Sequence, residues 1–182
     1  MPGIKHTLVA LVENKPGVLN RVASLFRRRG FNIESIAVGR SEIPNLSRMT
    51  IVIDGTGIMI EQVRKQLDKV IDVVRVSDIT DEDIVARELA LIKVKTTPST
   101  RSEIMQIVDI FRANIVDVAS DSLTVEVTGD EDKIDSLAKL LRSFGIKELA
   151  RTGRIAMTRG VSSPLSVEKR SANAGTKGEK SK

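Results

Sequence analysis

The stretch from Asn14 to Asn32, N-K-P-G-V-L-N-R-V-A-S-L-F-R-R-R-G-F-N, leaves this chain few ways to fold. Before it, His6 to Glu13 is a short apolar run with enough β-branched residues to be a strand. Pro16-Gly17 then turns the chain, and Val18, Leu19, Val22, Ala23, Leu25 and Phe26 recur at helical spacing. Gly30 stands where a helix C-terminus needs φ > 0, and Phe31 opens another strand-like run. The order is strand, glycine-bearing turn, helix, strand. At such a turn the first helical N–H groups, around Val18 and Leu19, lack intrahelical partners and form the positive end of the helix dipole. They favour a small anion such as a carboxylate. Gly17 has no Cβ and lets a ligand approach the backbone closely. Asn14 and Asn32 each offer a donor and an acceptor, which suits a zwitterion. The same residues also fit a purely structural role, with Pro-Gly turning the chain and the asparagines capping it.

The first unit continues with a partly apolar strand, Asn32 to Val38, a turn at Ile43-Pro44-Asn45-Leu46, and a strand from Ser47 to Asp54. After Gly55-Thr56-Gly57, a helix is expected to carry Ile60, Val63, Leu67, Val70 and Ile71 along one stripe. Val73 to Val76 is a last strand. Asp78 to Asp83 reads as a short acidic linker, and the same order then returns. Leu89–Val94 is a strand, Pro98-Ser99 opens a helix with Ile104, Ile107, Val108 and Phe111, and Ile115–Val118 pairs with Leu123–Val127. Gly129-Asp130 opens a helix with Ile134, Leu137, Leu141 and Phe144, closed by Gly145. Glu148–Ala150 and Arg154–Met157 supply a final strand or a short hairpin. The expected architecture is α+β: two tandem ferredoxin-like βαββαβ domains, residues 1–80 and 84–160, followed by a disordered tail over 161–182. Strands one and three of the first unit are apolar on both faces, so the open face of that sheet should be covered by another subunit or by the second unit. The strand after Phe31 is expected at a sheet edge, free to pair with a symmetry mate.

Charge and composition narrow the functions. The net charge of +5 is concentrated on the tail: residues 1–83 and 84–160 balance at +1 each, and 161–182 at +3. The folded part therefore carries no electrostatic footprint for a polyanion. There is no cysteine, hence no disulfide, thiolate metal site or cysteine nucleophile. His6 is the sole histidine, and no His/Asp/Glu cluster has metal-ligand spacing. Neither a secretory leader nor a membrane-length apolar run is seen, so a cytoplasmic protein without a membrane partner is expected.

N-K-P-G-V-L-N-R-V, L-F-R-R-R-G-F-N-I-E-S-I-A-V and L-S-R-M-T-I-V together closely resemble the small, regulatory subunit of acetolactate synthase (acetohydroxyacid synthase). The resemblance covers residues 4 to about 160 and is strongest through 11–53. It implies that the first unit is an ACT domain, which binds amino acids at a homodimer interface. It implies no catalysis and no cofactor in this chain. The catalytic large subunit would be the partner, carrying thiamine diphosphate, Mg2+ and FAD; this chain would raise its activity and confer feedback inhibition by L-valine in branched-chain amino acid biosynthesis. Carried over residue by residue, the effector contacts are Asn14, Lys15, Pro16, Gly17, Val18 and Leu19, with Asn32 and Ile33 coming from the partner subunit. The second unit has Thr97-Pro98-Ser99-Thr100 in place of the glycine turn and should pack without holding the same ligand.

Two other readings exist beside a stand-alone amino-acid sensor that regulates a different partner. RNA-recognition domains share the unit order but stack bases on aromatic residues of the central strands. Here Phe26, Phe31, Phe111 and Phe144 lie at helix ends or at the start of the edge strand, and Arg27-Arg28-Arg29 fits a solvated helix C-terminus. An enzyme finds no candidate site, so no nucleic acid and no catalytic residue is expected.

Overall fold

The computed structural model describes residues 4–160 and 163–166. The first unit runs β1 (Ile4–Glu13), α1 (Val18–Arg29), β2 (Ile33–Arg40), β3 (Leu46–Gly55), α2 (Gly57–Leu67) and β4 (Val73–Asp78). The second runs β5 (Ile84–Lys95), α3 (Arg101–Ile110), β6 (Asn114–Val118), β7 (Ser122–Gly129), α4 (Glu131–Leu141), β8 (Ile146–Arg151) and β9 (Ile155–Thr158). The two antiparallel sheets have the orders β2-β3-β1-β4 and β6-β7-β5-β8. Both are ferredoxin-like, and β2 is an edge strand as expected.

Each helix pair closes its own core against one sheet face. Leu8, Ala10 and Val12 of β1 and Met49, Ile51 and Ile53 of β3 meet Val22, Leu25 and Phe26 of α1 and Ile60, Val63 and Leu67 of α2. Ala90, Ile92 and Val94 of β5 repeat the arrangement with Ile104, Val108, Ile134, Leu137 and Leu141. All four phenylalanines belong to these helix-side clusters, which leaves no aromatic stacking platform on the opposite faces.

The other face of the first sheet is covered from within the chain. β5 begins at Ile84, five residues before the run recognised in the sequence, and its first four residues pair with β9. β8 and β9 both lie antiparallel along β5, interrupted at residues 152–154, so of the expected final strand or short hairpin the structure has an interrupted final strand. Val9 and Leu11, the outward residues of β1, pack with Ile79, Ala156 and Leu165. Arg48 Nη2 donates to the Ala156 carbonyl at 2.8 Å, and its burial pushes the guanidinium pKa down.

Three expectations change. Ile71 does not continue the stripe of α2: the helix ends at Leu67, a turn closes through Val70 N–H to the Leu67 carbonyl (2.9 Å), and Ile71 is 89 % exposed. Residues 78–83 are not a loose linker, because Ile79 is fully buried and its N–H bonds the Thr7 carbonyl at 3.0 Å. Most of the 161–182 tail lies outside the described residues; within 163–166, Leu165 is buried and the Ser166 carbonyl accepts from Arg75 at 2.6 Å.

Candidate functional site

The turn between β1 and α1 is exposed at Asn14, Lys15, Pro16 and Gly17, with Val18 tucked into the core beneath it and Leu19 half out in solvent. Gly17 caps α1 in the left-handed region at φ +86°, no side chain takes over the capping, and a Cβ there would meet no atom within 4 Å. The Val18 N–H reaches only the Lys15 carbonyl, at 3.5 Å. The result is an exposed notch, uncapped by any side chain, at the positive end of a 12-residue helix.

The notch is braced from below. Glu13 N–H bonds the Asp72 carbonyl at 2.9 Å, and the Asp72 carboxylate, nearly buried, pairs with Arg21 on the first turn of α1. Asn14 N–H bonds the carbonyl of Asn45 (2.8 Å), a residue at φ +63° that the sequence reading placed in a turn and gave no part in the site. Lys15 Nζ lies 2.6 Å from Glu13, whose hydrogen bond and charge hold the ammonium above its usual range.

Asn32 and Ile33 stand elsewhere. Glu13 is opposite Leu46 on β3, whereas Ile33 is opposite Ile53. Seven residues of strand separate these points, about 24 Å at strand rise. One chain cannot bring Asn14 and Asn32 to one small ligand. Near the other end of β3, Ser41 N–H bonds the Leu46 carbonyl beside Asn45. Asn32 is exposed, and its amide donates to Glu34 at 3.2 Å.

In the second unit the equivalent turn closes on itself. Thr97 and Thr100 exchange hydrogen bonds between backbone N–H and hydroxyl groups (2.9 and 3.3 Å), and Arg101 spans the turn to the carbonyls of Ala119 and Ser120. Its helix start offers no notch. Among the described residues no cluster of three His, Asp or Glu could hold a metal, and no helix is long and apolar enough to cross a membrane. His6 sits mostly buried, 3.8 Å from Asp78.

Two βαββαβ units, the first with a glycine-capped helix start beside an edge strand, define an ACT-type α+β protein. The comparisons are specific. The family described as "AHAS small subunit-like ACT domain" matches residues 8–75, and that described as "Small subunit of acetolactate synthase" matches residues 87–160. The chain is 60 % identical over 157 residues to a "Probable acetolactate synthase small subunit" of Archaeoglobus fulgidus, covering 86 % of this chain and 98 % of that one. It is 50 % identical over 167 residues to the "Acetolactate synthase small subunit" of Bacillus subtilis, covering 91 % and 97 %. The crystal structure of the acetolactate synthase small subunit from Thermotoga maritima superposes with a TM-score of 0.81 at 44 % identity, covering 87 % of this chain and 99 % of that one. The chain belongs to the family of acetolactate synthase small, regulatory subunits, which implies a catalytic subunit as its partner.

Proposed function

We propose that this chain has no catalysis of its own, activates a thiamine-diphosphate-dependent acetolactate synthase, and makes that enzyme sensitive to feedback by L-valine in branched-chain amino acid biosynthesis. The observation that carries this reading is the sheet register. With the glycine turn near one end of β3 and Asn32 near the other, it supports two shared sites in a homodimer joined along β2. In each, the valine carboxylate meets the α1 N-terminus at Gly17, Val18 and Leu19. The ammonium meets the oxygens of Asn14 and of the partner copy's edge strand, and the branched side chain rests among Pro16, Leu19 and Ile33. Lys15 stands at the rim, its charge already answered by Glu13.

Valine can shift the complex only by its different affinity for the active and inhibited arrangements. Couplings of this kind are about 1–3 kcal/mol, which gives strong but incomplete inhibition. Reconstitution with the catalytic subunit tests the site. Gly17→Asp places a like charge and a side chain in the carboxylate position, and Asn32→His replaces the amide; both variants should still activate and should no longer respond to valine. Wild-type inhibition of either variant refutes the assignment. Titrating leucine and isoleucine in the same assay sets the order of preference, and failure to activate any acetolactate synthase would leave the chain as a sensor for another partner.

A further inference from the structure

The two units meet across a polar cleft of about 390 Å³, lined among others by Lys5, Glu34, Ser35, Glu131, Gly153 and Arg154. A hydrogen-bonded path crosses it from Ser35 through Arg154 and Glu131 to Lys5, beginning on the strand that also carries Asn32. The Asn32 amide donates to Glu34 at 3.2 Å, and Glu34 is the extra residue of a β-bulge, where β2 slips register against β3 between Ile33 and Ser35. Glu34 lies close enough to Lys5 to favour its ammonium, after the larger effect of Glu131, which Lys5 contacts at 2.5 Å. Glu131, the first residue of α4, also takes a hydrogen bond from Arg154 Nη2 at 2.8 Å. The Arg154 backbone N–H returns to β2, donating to Ser35 Oγ at 2.9 Å, while its Nη1 reaches Thr7 at 3.3 Å.

We propose that this path carries the amino-acid signal from the first unit to the second, with Ser35, Glu131 and Arg154 as positioning residues. The inference rests on the reading that Asn32 contacts the effector. Asn32 has one amide to give. When it turns to a bound zwitterion it releases Glu34, and the neighbouring Ser35, whose hydroxyl holds the Arg154 N–H, passes the adjustment of β2 to Arg154 and Glu131. Glu131 and Arg154 are half-buried, where their pairing weighs more than in open water, while Lys5 and Glu34 stand at the exposed mouth of the cleft. At the bulge Glu34 is left out of the pairing and the ladder is locally interrupted, so β2 has room to adjust there. The far end of the path is the start of α4, so the second unit registers the change as a shift of a whole helix against Arg154.

Ser35→Ala and Glu131→Gln test this, each in the full chain assembled with its catalytic subunit and titrated with L-valine. Calorimetry on the free variants should give a valine Kd within twofold of wild type, and activation without valine should also stay within twofold. The valine concentration for half-inhibition should rise at least fivefold, the lower end of common couplings. The two substitutions act at opposite ends of the path, so either one decides if the other fails to fold. Wild-type inhibition overturns the proposal, and so does loss of valine binding itself, because the path would then shape the site instead of reporting it. A wild-type chain that takes up no valine defeats the functional reading beneath.

Discussion

Gly17 and Gly153 share a backbone conformation, φ +86° and +82°, but not an environment, and replacing each with alanine separates strain from packing. An L-residue in the left-handed region costs about 1–2 kcal/mol. The alanine also restricts the unfolded chain, which offsets about 0.4–1 kcal/mol. At Gly17 nothing else enters, because a Cβ there has open space. Gly17→Ala should therefore lower stability by about 1 kcal/mol, roughly 2–4 °C in Tm for a chain of this size. At Gly153 the added Cβ would stand 2.7 Å from Ser35 Oγ and 3.2 Å from the Ile36 carbonyl. The hydroxyl can rotate away but the β2 backbone cannot, so an overpacking cost of about 1–3 kcal/mol is added. The total of about 3 kcal/mol corresponds to roughly 6–12 °C. Thermal unfolding followed by circular dichroism, at one fixed chain concentration and without amino acid, makes the comparison. If Gly153→Ala melts within a degree or two of Gly17→Ala, the close approach of β2 to the bend after β8 is not a packing constraint and the reasoning fails.

Arg151 holds the nearly buried Glu88 through two hydrogen bonds of 2.7 Å and reaches Asp135 at 2.6 Å. Arg151→Met should cost about 2–4 kcal/mol in urea unfolding by stranding that carboxylate, and adding Glu88→Leu should recover most of it. Asp130 caps α4 by accepting from Lys133 N–H at 2.9 Å, so Asp130→Ala should lose about 1 kcal/mol. Glu61, hydrogen-bonded to Arg64, is held down from 4.5 to about 2. Because its pKa is lowered on folding, its contribution is present above pH 4.5 and fades as the pH falls toward about 2. An NMR titration should find that low midpoint in wild type and a return toward 4.5 in Arg64→Met.

The unit order could be read from the sequence because its punctuation is local. Pro16-Gly17, Gly30, Gly55 to Gly57 and Asp130 each mark a turn or cap whose chemistry acts over a few residues. The glycine-capped start of α1 was legible for the same reason. The covering of the first sheet was half legible: Val9 and Leu11 beside Leu8 and Ala10 announced a two-sided strand, but not what lay on it. That cover is made by Ile84, Ala86 and Ala156, which lie from 73 to 147 positions away from Val9 and Leu11, with no periodicity to betray them. Ile71 was misplaced because apolar spacing ran on past the point where the helix stops. Asn45, Ser35 and Arg154 were missed as site neighbours because their roles depend on register and on the bend at 152–154.

If the proposed site is shared across a dimer, the distance of about 24 Å between Gly17 and Asn32 within one chain has a genetic consequence. On the proposed shared site, a chain damaged only at Gly17 and a chain damaged only at Asn32 should each be insensitive alone. Co-expressed, they form hybrid pairs in which one pocket collects both lesions and the other collects neither. Feedback would then reappear from two mutant parents, to the extent that hybrids form.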